Sequence, residues 1–306
     1  MTATTGRTTE VREKASQLPH PGRTTGASAL AWVAAGLALV AALLGLLVGG
    51  LHVGSRSTIE IFRGYDLVTA VVVAPSLAVA ADRVRRGSLA AQLVAAGLLA
   101  DLVYAYAFRL FGAPASDAFL LHVAVFATAL AGLVLVVADV DVPAVAARFR
   151  DRTRRAVVAV PLAVLAVSLG VMWVWAGIDL ALTGAVPEGS RLVESDAMVR
   201  LGMALDLALQ VPLYGAAAVL VWRRSGWGHL LAAIALVSGI AEQLAYFAAM
   251  PFQVLAGVPG AVWFDPLEPV VLALYVIGAV GLWLGGRRAG PPTRGLSRAR
   301  GATGRR

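Results

Sequence analysis

Long, almost purely apolar stretches recur along this sequence, and short turns bearing arginine, glycine or proline separate them. About twenty apolar residues wound as a helix cross the ~30 Å hydrocarbon core of a bilayer, and inside lipid each backbone N–H and C=O must be satisfied within its own segment. The pattern therefore dictates membrane-spanning helices. Eight segments can be marked, at about 29–51, 66–81, 89–109, 118–138, 156–178, 200–222, 229–250 and 267–286. Hydrophobic residues make up 59% of the chain and the mean hydropathy is +0.78, against roughly 45–50% apolar residues in an ordinary globular domain. The fold class expected is all-α, a polytopic membrane protein of eight transmembrane helices.

The basic residues orient the set, because short cytoplasmic loops carry the excess of Lys and Arg. With the N-terminus inside, 21 of the 26 basic residues fall on the cytoplasmic side. Only Arg56, Arg63, Arg109, Arg191 and Arg200 fall outside. An odd number of spans would break this alternation, so both termini are expected in the cytoplasm of a cell whose inner membrane holds the protein. The first span resembles a secretory signal, but its apolar run exceeds the usual 7–15 residues and no small-x-small site follows. It reads as a retained helix. Residues 1–28 and 287–306 are rich in Thr, Gly, Pro and Arg, a composition that buries too little apolar surface to order itself. They read as disordered basic tails, suited either to anionic lipid head groups at the cytoplasmic face or simply to fixing topology.

A shift of 141 residues lays Arg83 on Arg224, Gly87 on Gly228, Leu89 on Leu230 and Asp101 on Glu242, and brings Asp66 within one residue of Asp206. These coincidences suggest a parallel four-plus-four repeat about an axis along the membrane normal, with chance as the competing explanation in a chain rich in Ala, Leu and Gly.

Three carboxylates interrupt the apolar runs. An ionisable group at mid-bilayer costs roughly 2.5–3.5 kcal/mol on insertion scales, so each asks for a role. In the sixth span Gly202, Asp206, Gln210 and Tyr214 recur every four residues and share one helical face. In the seventh, Ser238, Glu242 and Tyr246 do the same, with Gln243 beside them. The third carries Gly97, Asp101, Tyr104 and Phe108. With the orientation above, Asp101, Asp206 and Glu242 share the outer half of the bilayer, with His122 at similar or shallower depth. The expectation is one polar cavity open to the outside, lined by Asp101, Asp206, Glu242, Gln210, Gln243, Tyr104, Tyr214, Tyr246 and His122. Arg63, Arg109 and Arg200 are candidates to reach down as counter-charges.

Two chemistries fit such a cluster. Desolvation disfavours an ionised acid, which suits proton carriage or exchange for a cation, whereas an adjacent arginine reverses that bias. Alternatively each acid only joins helices through hydrogen bonds, at about 0.6–2 kcal/mol apiece. The chain has no cysteine, which removes disulfides, thiolate catalysis and cysteine-bound metal. The four histidines form no ligand motif, and no phosphate loop, HExxH or serine elbow is present, so no metal or other cofactor is expected. The basic runs lack the interleaved aromatics of nucleic-acid modules, so no nucleic-acid partner is expected. Gly45 with Gly49 and Gly281 with Gly285 match a helix-packing spacing. The stretch from Pro251 to Pro269, with Phe252, Trp263 and Phe264, reads as an interfacial loop, with a re-entrant element or lid as the alternative.

Tyr104, Ala105, Tyr106 through Phe111 and Gly112 to Phe119, Leu120 and Leu121, then Asp206, Leu207, Pro212, Trp222, Arg223, Arg224, Gly226, Trp227 and Gly228, together resemble a group of uncharacterised multi-pass membrane proteins of high-GC bacteria. This chain has His229 where that group's second motif would carry a tyrosine. The resemblance implies the membrane architecture and no activity. The leading functional expectation is a small transporter or proton- or cation-coupled carrier. The alternatives are a structural or accessory subunit that binds partner membrane proteins, and a lipid-modifying membrane enzyme.

Overall fold

The computed structural model describes residues 21–149, 154–187 and 190–286, and among them the regular structure is entirely helical. Residues 1–20 and 287–306 lie outside the described residues, and the expectations about their disorder and lipid contact fall there, whereas residues 21–28, expected in the disordered head, belong to the first helix. Eight helices are long and apolar enough to cross a membrane. The first span is α1 (Pro21–Leu47). The second joins α2 (Arg56–Val68) to α3 (Ala74–Arg85) through a π turn, Thr69–Val73. The third and fourth are α4 (Leu89–Phe111) and α5 (Phe119–Ala138), followed by the short α6 (Val142–Phe149). The fifth is α7 (Arg155–Thr183), and the sixth joins α8 (Asp196–Leu205) to α9 (Val211–Trp222) through a second π turn, Asp206–Gln210. The seventh and eighth are α10 (Gly226–Leu255) and α11 (Glu268–Gly286).

The main departure from the expected boundaries is in the second span, which begins at Arg56 and not near 66. Ser55 accepts a hydrogen bond from the Thr58 N–H and caps α2, so Glu60, Arg63 and Asp66 are helical although their polarity suggests a loop. The first span likewise begins earlier than residue 29. Pro251, Phe252 and Gln253 continue α10, and the chain then forms a loop in which Trp263 and Phe264 are exposed.

Both π turns have the same cause. Pro75 and Pro212 lie at the second position of the helix that follows, and a proline removes a donor and crowds the carbonyl four residues earlier. One extra residue in the turn lets the helix continue past that clash.

In each half, the first helix packs on the second and fourth, and the third packs on the second and fourth, giving two four-helix units of the same connectivity. The hairpin turns follow an offset of 137 residues, not 141. Gly87 and Arg224 both adopt positive φ, at 78° and 59°. Ser88 N–H donates to the Arg83 carbonyl at 3.0 Å, and Ser225 N–H donates to the Leu220 carbonyl at 2.9 Å. Pro75 falls on Pro212 at the same offset. The four-residue discrepancy is close to one turn of about 3.6 residues, which is why the sequence comparison slid into the wrong frame. In the structural frame Asp101 matches Ser238, so the acids of the two halves are not equivalents.

An arginine in the left-handed region is strained, whereas glycine there is not. Arg224→Gly should therefore raise stability by roughly 1 kcal/mol in detergent melts, and Gly87→Ala should lower it by a similar amount.

Small residues build the interior and larger ones meet lipid, as helix packing without a hydrophobic drive requires. The first span buries Ala27, Ala31, Ala34, Ala35, Ala38, Ala41 and Ala42, while Trp32, Leu43, Leu44 and Leu47 face outward. Backbones come closest at two glycines that the spacing motif does not single out. A Cβ on Gly64 would lie 2.4 Å from Ala249 Cα, and one on Gly228 would lie 2.3 Å from the Leu220 carbonyl carbon. Of the motif glycines, Gly45 and Gly281 have close neighbours, whereas Gly49 has open space around its Cα.

Candidate functional site

The seventh span is the hub of the bundle, packing on the second, third, sixth and eighth. Glu242 sits near its middle. Tyr65 of the second span donates its hydroxyl to Glu242 Oε1 at 2.6 Å, and Glu242 Oε2 is buried without a hydrogen-bond partner. Asp206, at the start of the sixth span's π turn, is held at both oxygens. Tyr104 of the third span donates to Oδ1 at 2.8 Å, and Trp173 Nε1 of the fifth donates to Oδ2 at 2.7 Å. Asp101, on the third span, is only 5% exposed and forms no hydrogen bond among the described residues.

These groups line two adjoining cavities. The smaller, about 150 Å³, is bounded by Phe62, Tyr65, Tyr104, Phe108, Trp173 and Tyr246, with Asp206, Glu242, Ser190 and Glu194 as its polar walls. It lies towards the face opposite the arginine hairpins. The larger, about 460 Å³, is a lateral groove between the third and fourth spans on one side and the sixth and seventh on the other. Its walls are apolar, with Phe126, Leu133, Leu209 and Leu213 prominent, and Asp101, Gln210 and Ser238 supply polarity. Tyr104 and Glu242 belong to both cavities. Neither wall contains a lysine, arginine or histidine.

The connection between the fifth and sixth spans contributes Ser190, Leu192 and Glu194 to the wall of the smaller cavity. Leu192 packs with Ile61, Phe62, Met198, Ala249 and Met250. Gln253 donates to the Val193 carbonyl at 2.9 Å and to the Ser57 carbonyl at 3.2 Å, and accepts from Val193 N–H at 3.1 Å. Arg191 N–H donates to the Tyr246 hydroxyl at 3.2 Å. Burial pushes the Glu194 carboxyl up, the Ser190 hydroxyl opposes that shift with a 3.0 Å hydrogen bond, and the charge of Asp206 adds to it.

The nine residues expected from the sequence thus divide. Asp101, Asp206, Glu242, Tyr104, Gln210 and Tyr246 line the cavities. Gln243 does not, because its amide donates to Glu268 Oε2 of the eighth span at 2.5 Å. Tyr214 points to Tyr275, with the hydroxyls 2.9 Å apart, and its own hydroxyl donates to Gln210. His122 packs edge-on against Tyr106 at 5.6 Å, in a separate cluster.

That cluster accounts for one of the candidate counter-charges. Arg109 donates to Asp66 Oδ1 at 2.6 Å, and His52 Nε2 lies 2.7 Å from Asp66 Oδ2. The guanidinium also sits over the rings of Phe62 and Tyr106, at 5.0 and 4.8 Å. Asp66 and Arg109 are 1% and 3% exposed. Arg109 therefore neutralises Asp66 and is not hydrogen-bonded to the three cavity acids. Arg63 lies 3.5 Å from Glu60 on its own helix, and Arg200 is exposed. The sequence reading missed Tyr65, Trp173, Ser190 and Glu194. The signal for the tyrosine and tryptophan is a polar handle on a ring that must find a partner when buried.

The described residues hold no grouping of three or more His, Asp or Glu able to bind a metal. The chain matches none of the protein-family models, curated proteins or solved structures with which it was compared, so the reading of its site rests on its own geometry.

Proposed function

We propose that this integral membrane protein is a small carrier that accepts a cation or exchanges it for protons, using Asp101, Asp206 and Glu242. One observation carries the reading: Glu242 stands in the wall of both cavities with one oxygen bonded to Tyr65 and the other without a hydrogen bond, and no basic side chain lines either cavity, the charge of Arg109 acting on it only from the neighbouring Asp66 cluster. A buried acid without a directly bonded counter-charge is costly in lipid and is met chiefly on ion pathways. Asp206 differs in being anchored by Tyr104 and Trp173, so it orients the site while Glu242 and Asp101 exchange their partner. The 21 basic residues on one side argue for an inner membrane, cytoplasmic termini and a cavity reached from outside.

A second reading, an accessory subunit whose acids only tie helices together, is favoured at Asp66, which Arg109 and His52 satisfy completely. It leaves the unpartnered oxygen of Glu242 without a purpose.

Proteoliposomes carrying a luminal pH dye discriminate the two. An imposed gradient of sodium, potassium or tetramethylammonium should drive a pH change at least ten-fold faster than in protein-free vesicles, and Glu242→Gln should remove most of it. Folded wild-type protein giving no flux above the protein-free rate with any of the three would contradict the carrier reading.

A further inference from the structure

The cavity beside Glu242 is a ring of aromatics as much as a cluster of acids. Phe62, Tyr65, Tyr104, Phe108, Trp173 and Tyr246 surround it, and Tyr104 and Phe108 lie with ring centroids 5.3 Å apart. Aromatic faces attract cations, most of all poorly hydrated quaternary ammonium groups, and a void of about 150 Å³ is the size that holds a benzene-sized group. A small hydrated ion has no need of such walls.

The adjoining groove has the opposite character. It is about 460 Å³, predominantly apolar, and reaches the bundle surface at Phe111 and Leu209, which are 65% and 55% exposed. Asp101 lies at its inner end, about nineteen-twentieths buried and without a hydrogen bond, and Glu242 Oε2 is likewise unpartnered. Arg109, hydrogen-bonded to Asp66, acts on both acids only at longer range, which leaves room for a positive partner where the groove meets the aromatic cavity.

We infer that the ligand is a lipophilic organic cation, its quaternary ammonium head among the aromatics and acids and its alkyl tail in the lateral groove. The assignment rests on the cation reading proposed above and adds the tail and the kind of head. A zwitterionic phospholipid fits less well, because its phosphate would meet Asp101, Asp206, Glu242 and Glu194 with no arginine or lysine in either wall.

The test is binding of radiolabelled dodecyltrimethylammonium to the intact protein in non-ionic maltoside micelles, with four unlabelled competitors. Dodecyltrimethylammonium itself should displace the tracer best. Tetramethylammonium, the uncharged analogue with carbon in place of the quaternary nitrogen, and dodecylphosphocholine should each be at least ten-fold weaker. Leu209→Trp, which narrows the groove from its lipid edge, should weaken the dodecyl ligand ten-fold and leave the affinity of tetramethylammonium unchanged. Glu242→Gln should weaken both, and Leu209→Trp keeps the test open should that variant not fold. Tetramethylammonium binding as tightly as the long-chain cation would overturn the groove assignment while leaving the cation site standing. Equal binding of the uncharged analogue would overturn both readings. Equal binding of dodecylphosphocholine would assign the site to a zwitterionic lipid, and the absence of saturable tracer binding would also overturn the inference.

Discussion

Arg109→Leu should destabilise the protein by about 3–5 kcal/mol, the usual consequence of stranding one member of a buried ion pair. Asp66 would retain only His52, in surroundings where it is 1% exposed. The effect reaches three spans, because His52 follows the first, Asp66 lies in the second and Arg109 ends the third. The double variant Asp66→Leu/Arg109→Leu should be less damaged than Arg109→Leu alone, because removing both charges also removes the desolvation cost of each. Thermal melts in detergent read the difference. Additive losses in the two single variants and the double would show that the pair is not coupled.

Gly64→Ala should have the next largest effect, about 1–3 kcal/mol, by overpacking. The new Cβ would lie 2.4 Å from Ala249 Cα and 2.6 Å from its nitrogen, and backbone atoms cannot rotate aside as a side chain can. The second and seventh spans would have to separate. That movement pulls Tyr65, the next residue, away from Glu242, so binding at the acid site should weaken along with stability. Gly36→Ala is the control, since nothing lies within 4 Å of its Cβ position and alanine is the better helix former by up to about 1 kcal/mol. Equal melts for the two variants would contradict the close approach of α2 and α10.

The number of spans was legible in the sequence because hydropathy and helix length are local quantities. The polar faces of the third, sixth and seventh helices were legible too, but the single cavity expected from them is two adjoining ones, with Asp206 in the smaller, Asp101 in the larger and Glu242 in both. What surrounds each acid was not legible. Tyr65 and Asp66 are chain neighbours, but successive helical residues point about 100° apart, so one meets the seventh span and the other the first and third. Gln243 shares the same fate, turned from Glu242's cavity towards Glu268. The two π turns also escaped a reading based on a regular period, although Pro75 and Pro212 marked where the helices had to depart from it. The frame of the two halves failed for a related reason, since apolar helices slide by one turn with little change in pattern.

The absence of cysteine in this chain makes the central claim, an acidic cavity reached from the face opposite the arginine hairpins, directly measurable. Gly202 lines the smaller cavity, and a Cβ there would sit 3.5 Å from Phe108, in ordinary contact, so the Cβ of Gly202→Cys is accommodated. A positively charged, membrane-impermeant thiosulfonate reagent should label this single cysteine from outside intact cells at least ten-fold faster than a negatively charged reagent of similar size. Glu242→Gln in the same background should narrow that preference. Equal rates for the two reagents, or labelling only from the cytoplasmic side of inverted vesicles, would contradict the account.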